Sequence, residues 1–294
     1  MQLYSDAEIF KIQTPVLGRF SLGPGNPFVA DKPALTRSMA LKIKTPEGVW
    51  ETAMNNTPVI PMSNAQDAYD LFKTDAIDPK TGKADPKAFP NFVKTHPWLY
   101  DAVKIASASK PTSDLTDTTY YGVSAFITHD KAGKEQAVRW KMVPHQAVGT
   151  PIEEANDQDY LFKNLINKVQ AGEVAQKPLA WDMVMIIANT APEIQGGTAP
   201  KDMINDSSKV WNEKDLEVKA GTVTVEKLYS ENEDGLCKPM SFDPTVLPKG
   251  IELSDDPIPR LRSQLYMKSF YRRAGENQKP SEVTTDMIEK GGNS

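Results

Sequence analysis

Ser254-Asp255-Asp256-Pro257-Ile258-Pro259-Arg260-Leu261-Arg262-Ser263-Gln264-Leu265-Tyr266-Met267-Lys268-Ser269-Phe270-Tyr271-Arg272-Arg273 is the most telling stretch of the chain. Aspartates ahead of a proline-started segment mark a helix N-terminus, because their carboxylates accept from orphan amides and suit the positive end of the dipole. A helix is therefore predicted over Pro259 to Arg273. On it Arg262 and Tyr266 stand at i and i+4, one above the other, and Arg273 returns to nearly the same face.

Upstream of this helix, short apolar stretches alternate with Gly/Pro turns, which predicts a β-rich core with appended helices. Strands are expected at Val16–Ser21, Met39–Lys44, Val49–Met54, Tyr120–Thr128, Gln136–Val143, Trp181–Ala188 and Leu216–Val225. The clearest hairpin joins Tyr120–Thr128 to Gln136–Val143 through His129-Asp130-Lys131-Ala132-Gly133, with Val138, Trp140 and Met142 alternating as a half-buried strand requires. Helices are expected at Ala65–Lys73, around Phe92–Ala106 and at Ile152–Val169. Asp75–Pro90 reads as an exposed loop, and Asn189–Ser208 and Ser230–Pro257 as long irregular connections. Residues 1–274 form one expected domain, and 275–294 a polar tail with few apolar anchors, disordered or loosely docked.

The composition excludes several classes. With 34 basic against 39 acidic residues and a net charge of −5, the chain lacks the basic footprint of a nucleic-acid or anionic-membrane binder. The longest apolar run, Met183 to Ala188, is far below the ~20 residues a bilayer span needs. The first residues show no charged-then-apolar leader, so no secretory signal is expected in this chain. The single cysteine, Cys237, forms no internal bridge and is expected to be a semi-buried thiol.

The Arg262–Tyr266 pair has a chemical use. A phenol is a poor ligand until it is deprotonated, and a guanidinium within hydrogen-bond reach favours the phenolate, an anionic oxygen that suits ferric iron. A further arginine on the same face pairs well with a carboxylate. On spacing alone, however, a partly buried tyrosine beside a surface arginine is the simpler reading.

The wider sequence adds to it. Phe242-Asp243-Pro244, Pro248-Lys249-Gly250-Ile251-Glu252-Leu253-Ser254, Arg262-Ser263-x-x-Tyr266 and Arg273 together resemble the proximal-side signature of haem catalases, most of all the smaller catalase-related peroxidases. At the other end, Arg19-Phe20-Ser21 resembles that family's propionate-binding strand. Arg37-Ser38-Met39-Ala40-Leu41-Lys42 resembles its Arg-Gly-Phe-Ala-x-Lys strand, with Ser in place of Gly. Glu47-Gly48-Val49-Trp50-Glu51 and Asn55-Asn56-Thr57-Pro58 resemble its Gly-x-Trp-Asp and Asn-Asn-Thr-Pro sequences. The middle of the chain adds Tyr120-Tyr121-Gly122 and Val138-Arg139-Trp140 in matching order.

The resemblance implies an α+β fold: a catalase-core antiparallel β-barrel, closed or nearly closed, with helices packed outside. It implies haem b as cofactor, with Tyr266 as the axial iron ligand, Arg262 holding it as phenolate, Arg19 and Arg273 on the propionates, and Asn55 as the catalytic distal asparagine. The implied activity is that of an oxidoreductase, a haem peroxidase that reduces hydrogen peroxide or an organic peroxide with an external electron donor. The same fold also admits two alternatives, a haem-binding protein without useful turnover and an isomerase of fatty-acid hydroperoxides. The donor and the number of copies in the assembly, a homo-oligomer included, are left open, and a periplasmic full-length parent is the expectation from the smaller relatives.

The chain also departs from the family. The family's catalytic histidine lies upstream of the Arg-Phe-Ser strand, and the 18 residues before Arg19 hold none. Loss of the first barrel strand, with Met1 an internal methionine of a longer product, and impaired turnover are the expected consequences. His96, His129 and His145 read as solvated or structural. Ile60-Pro61 replaces a phenylalanine pair of the large catalases, and Tyr69 is an approximate stand-in for the ring that packs on the porphyrin.

Overall fold

In the computed structural model, residues 1, 3–23, 30–31, 35–150, 159–188, 204–211, 216–230, 240–275 and 284–290 are described. Seven strands follow one another as an antiparallel meander in chain order. They are β1 (Val16–Leu22), β2 (Arg37–Thr45), β3 (Gly48–Asn55), β4 (Tyr120–His129), β5 (Glu135–Pro144), β6 (Ala180–Ile187) and β7 (Leu216–Thr224). All seven were expected from the apolar alternation, each within two residues at either end. An eighth, β8 (Ile251–Leu253), has only three residues, too few for period-2 alternation to register. The sheet curls into a half-barrel with β1 and β7 at its edges.

The curl is opened at one seam. β3 pairs with β4 only at Asn55↔Tyr121, and farther along the same edge of β4 its place is taken by β8, through Phe126↔Leu253, Ile127↔Glu252 and Thr128↔Ile251. A register shift between Gly122 and Phe126 bends β4 at this seam. Gly122 is required there, because a Cβ would sit 2.6 Å from Trp140 Nε1.

The concave side is filled with side chains. Met39, Leu41, Ile43, Trp50, Met54, Tyr120, Val138, Trp140, Met142 and Trp181 all point inward and are buried. Trp50 meets Trp140 edge-on at 5.1 Å between ring centroids, and Phe20 of β1 reaches Trp181 of β6 at 5.8 Å across the interior. Burial of three tryptophans supplies much of the hydrophobic stabilisation. With the concave side taken up by the core, the outward side chains of the strands are left to meet a ligand.

The helices flank the sheet as α1 (Ala65–Lys73), α2 (Ala88–Thr95), α3 (Tyr100–Ala108), α4 (Tyr160–Val174), α5 (Pro257–Gly275) and α6 (Thr285–Lys290), with Leu161, Leu165 and Val169 of α4 packed into the interior cluster. The single helix expected around Phe92–Ala106 is broken. His96 leaves helical geometry ahead of Pro97, as a pre-proline residue tends to, and a 3-10 turn at Pro97–Leu99 leads into α3. In the tail expected to be loose, α6 forms, and Gln170 Nε2 of α4 donates to its Ile288 carbonyl. Cys237, residues 152–158 expected to begin the third helix, 189–203 of the first long connection and 231–239 of the second lie outside the described residues.

Candidate functional site on the outer face of β1 to β3

Because side chains alternate across a strand, the inward set Met39, Leu41, Trp50 and Met54 dictates an outward set. Register places that set in cross-strand rows: Leu17, Lys42 and Glu51; then Arg19, Ala40 and Ala53; then Ser21, Ser38 and Asn55. Arg19 and Asn55 therefore share one face, two strands and one row apart. Between them Ala40 and Ala53 form a low floor, on which Met240 and Phe242 pack at one side. The Arg19 guanidinium lies 5.0 Å from the centroid of the Phe242 ring.

Asn55 is oriented by its neighbour in the row. Ser38 Oγ donates to Asn55 Oδ1 at 2.8 Å, which leaves the amide N–H pair as the outward, donor end of the side chain. Ser38 is the residue that stands where the resembled strand motif has glycine. The sequence marked that position only as a departure, and its role shows in the cross-strand register. Asn56 serves the chain turn instead, accepting from Arg37 N and donating to Leu35 O.

The helix predicted from the opening stretch is α5. Its N-cap is Asp256, whose Oδ1 accepts from Ile258 N at 2.9 Å while Oδ2 accepts from Ser207 Oγ at 2.6 Å. Asp256 is fully buried. Burial pushes its carboxyl above the ordinary value, outweighing the hydrogen bonds from Ser207 and Ile258 and the charge of Arg139.

Arg262 and Tyr266 meet one turn apart on α5, as the spacing requires. Arg262 Nη2 donates to Tyr266 Oη at 2.9 Å and to the Ala53 carbonyl at 2.9 Å. A guanidinium has only donors, so the phenol oxygen is the acceptor. The bond to Ala53 depends on the open seam. Beyond Asn55, β4 leaves the edge of β3, and that edge is taken over by Glu51 N donating to Val246 O and by Arg262 on Ala53. One guanidinium thus ties the tyrosine to the strand that carries Asn55.

The remaining expected residues fall as follows. Arg273 lies in the last turn of α5, with its side chain outside the described residues. Tyr69 is exposed on α1, which packs against α5, and Lys73 covers its ring. Each histidine has a carboxylate partner away from this face. His96 stacks on Phe92 and faces Asp70, His129 faces Glu252 of β8, and His145 lies 2.7 Å from Asp182. Burial alone would raise the Asp182 carboxyl, but hydrogen bonds from Lys219, Thr222 and His145 hold it down to about 2.

The sequence model of the catalase family matches residues 1–287. The chain belongs to the catalase family. Members of this family are haem oxidoreductases. Among similar sequences, a catalase-related peroxidase of Synechococcus elongatus is 28% identical over 275 residues, covering 92% of this chain and 76% of that protein. A catalase-related peroxidase of Mycolicibacterium paratuberculosis is 30% identical over 266 residues, covering 89% and 78%. The rat catalase is 26% identical, and the chain spans 52% of it. Among solved structures, catalase A from Saccharomyces cerevisiae superposes with a TM-score of 0.77 at 20% identity, over 94% of this chain and 57% of that one. The catalase fold is thus shared, over little more than half the length of the larger catalases.

Proposed function

We propose that this catalase-family chain is a haem peroxidase that reduces hydrogen peroxide or an organic peroxide with an external donor, and that Tyr266 holds haem b through its iron. The observation that carries the reading is the Arg262–Tyr266 hydrogen bond, tied to Ala53 on the strand that presents Asn55. The outer face has the features a porphyrin needs. It offers an apolar patch in which Met240 and Phe242 pack over Ala40 beside the partly exposed Ala53, an arginine next to it, a phenol oxygen held by a guanidinium, and an amide donor.

Bound at Tyr266, the ferric porphyrin would supply the redox chemistry of peroxide reduction. Arg262 donates to the Tyr266 oxygen and so fixes where that oxygen stands as a ligand. Arg19 and Arg273 would supply the guanidinium forks that hold the two propionates by bidentate pairing. Asn55, fixed by Ser38, presents N–H donors to a peroxide oxygen where charge develops.

Among the described residues each histidine faces a carboxylate, Asp70, Glu252 or Asp182, and a site without a general acid–base group would lose roughly 10²–10⁴-fold. This placement favours a second outcome on the same site, haem binding with slow turnover. A haemin titration with visible and EPR spectra, followed by a peroxide assay with a reducing dye, separates the two. A ferric tyrosinate spectrum that Tyr266→Phe abolishes is expected. An unchanged spectrum in Tyr266→Phe would refute the ligand assignment.

A further inference from the structure

The axial ligand proposed above needs more than its own helix to place it, because α5 lies along the outer face with many of its residues, Leu265, Met267 and Tyr271 among them, exposed. Little apolar packing fixes its position along the sheet. Beyond its buried start at Asp256 and Ile258, its contacts toward β3 are Arg262 on Ala53 and those through the segment Met240 to Val246. Phe242 is buried against Ala40, with Leu17 and Ala53 beside it. Next to it, Asp243 N donates to Glu51 Oε2 at 2.7 Å, and Glu51 N donates to Val246 O at 2.9 Å. Glu51 is itself buried and held by Lys42 at 2.6 Å, its register partner on β2. The Asp243 carboxylate then faces the helix. Its Oδ1 accepts from Thr245 N and Oγ at 2.8 and 2.7 Å, and its Oδ2 accepts from Ser263 Oγ at 2.6 Å.

Ser263 follows Arg262 directly and lies three residues before Tyr266, on the same side of the helix. The chain of contacts from Lys42 through Glu51, Asp243 and Ser263 therefore ends one residue from the guanidinium that holds the proposed ligand. We propose that Asp243, anchored by Glu51, is the positioning residue for Tyr266: it sets where α5 sits along the splayed edge of β3, and with it the place of the phenol oxygen. The inference rests on Tyr266 as haem ligand.

The arrangement has a physical rationale. The Ser263–Asp243 and Arg262–Ala53 bonds both run from α5 to one edge of β3, the second directly and the first through Glu51. Added to the buried Asp256 cap at the start of the helix, two anchors one residue apart limit its sliding and rotation near Tyr266. Losing a charge-assisted hydrogen bond of this kind changes an equilibrium by about tenfold or somewhat more.

The test uses the full 294-residue chain loaded with haemin, in wild type and in Ser263→Ala, Ser263→Thr, Asp243→Ala and Tyr266→Phe. The readouts are haem release to an excess apo-globin acceptor, the ferric EPR spectrum, and hydrogen exchange of residues 258–270 without haem. Expected are release about tenfold faster and a broadened, heterogeneous tyrosinate EPR signal in Ser263→Ala and Asp243→Ala. Ser263→Thr, which keeps the hydroxyl, restores both. Faster exchange confined to 258–270 in the haem-free alanine variants is also expected.

If both alanine variants release haem and exchange as wild type does, Asp243 does not position the helix. Faster haem release with Ser263→Thr no better than Ser263→Ala overturns the proposal too, since it would show a packing effect. If Tyr266→Phe leaves the spectrum unchanged, the ligand assignment fails, and with it the functional part of the proposal. Helix placement is still decided by the exchange of 258–270.

Discussion

Replacing Asp256, the buried cap of the helix that carries Arg262 and Tyr266, separates two roles of one carboxylate. Asp256→Ala removes the acceptor for Ile258 N, worth about 1 kcal/mol as an N-cap. It also leaves the Ser207 hydroxyl without its closest acceptor in a fully buried place, about 1–3 kcal/mol. Ser124 Oγ, 2.9 Å from Ser207 Oγ, takes up part of that second loss. The expected destabilisation is therefore about 2–3 kcal/mol. Asp256→Asn keeps the cap, because its amide oxygen still accepts from Ile258 N, and it turns an N–H toward Ser207, whose hydroxyl then accepts.

The two variants differ in pH dependence. Burial raises the Asp256 carboxyl above 3.8 in the folded protein. Its contribution to stability is accordingly full below the unfolded value and lost as pH rises through the folded one. The wild type gives up this contribution as pH rises from the unfolded value through the folded one, and Asp256→Asn, which does not titrate, gives up nothing. Urea unfolding followed by far-UV circular dichroism at pH 4.5, 6 and 8 reads the difference. The asparagine variant should gain on wild type as pH rises, while the alanine variant stays less stable throughout. An asparagine variant as unstable as alanine at pH 8, with a gap to wild type that does not change with pH, would refute the reasoning, since capping would then need the charge.

Two further outcomes follow from the sheet. Gly122→Ala places a Cβ 2.6 Å from Trp140 Nε1 and displaces an indole that donates to Thr52 Oγ at 2.9 Å. Overpacking plus the weakened bond should cost about 2–4 kcal/mol in urea unfolding, and a change under 0.5 kcal/mol would show that the bulge in β4 relaxes freely. Ser38→Ala frees the Asn55 amide to turn over. Peroxidase turnover should fall several-fold with haem affinity unchanged, and equal losses in both would mean that Ser38 supports the floor rather than the amide.

Legibility in the sequence tracked the range of the interaction. The seven strands could be read because their inward residues repeat every second position, and Arg262 and Tyr266 because helical spacing alone brings them together. Asp256 is legible as a cap for the same local reason. Ser38 with Asn55 and Asp243 with Ser263 could not be paired beforehand, since each contact depends on a register or a chain path that no local period encodes. Phe242-Asp243-Pro244 was noted as a motif, yet its role became visible only once Glu51, nearly two hundred residues upstream, was found beneath it. The break at Pro97 was missed because the apolar spacing runs on through the 3-10 turn, even though a proline inside the predicted helix signalled it.

The filled interior of the half-barrel also gives the protein an optical property. Trp50 of β3, Trp140 of β5 and Trp181 of β6 sit shielded from water in the interior cluster. A porphyrin on the outer face of β1 to β3 absorbs where indoles emit, so its arrival would dim their fluorescence by energy transfer without touching any of the three. Occupancy of the site could then be followed in real time, in any variant and without any substrate, by light that the barrel's own tryptophans give off.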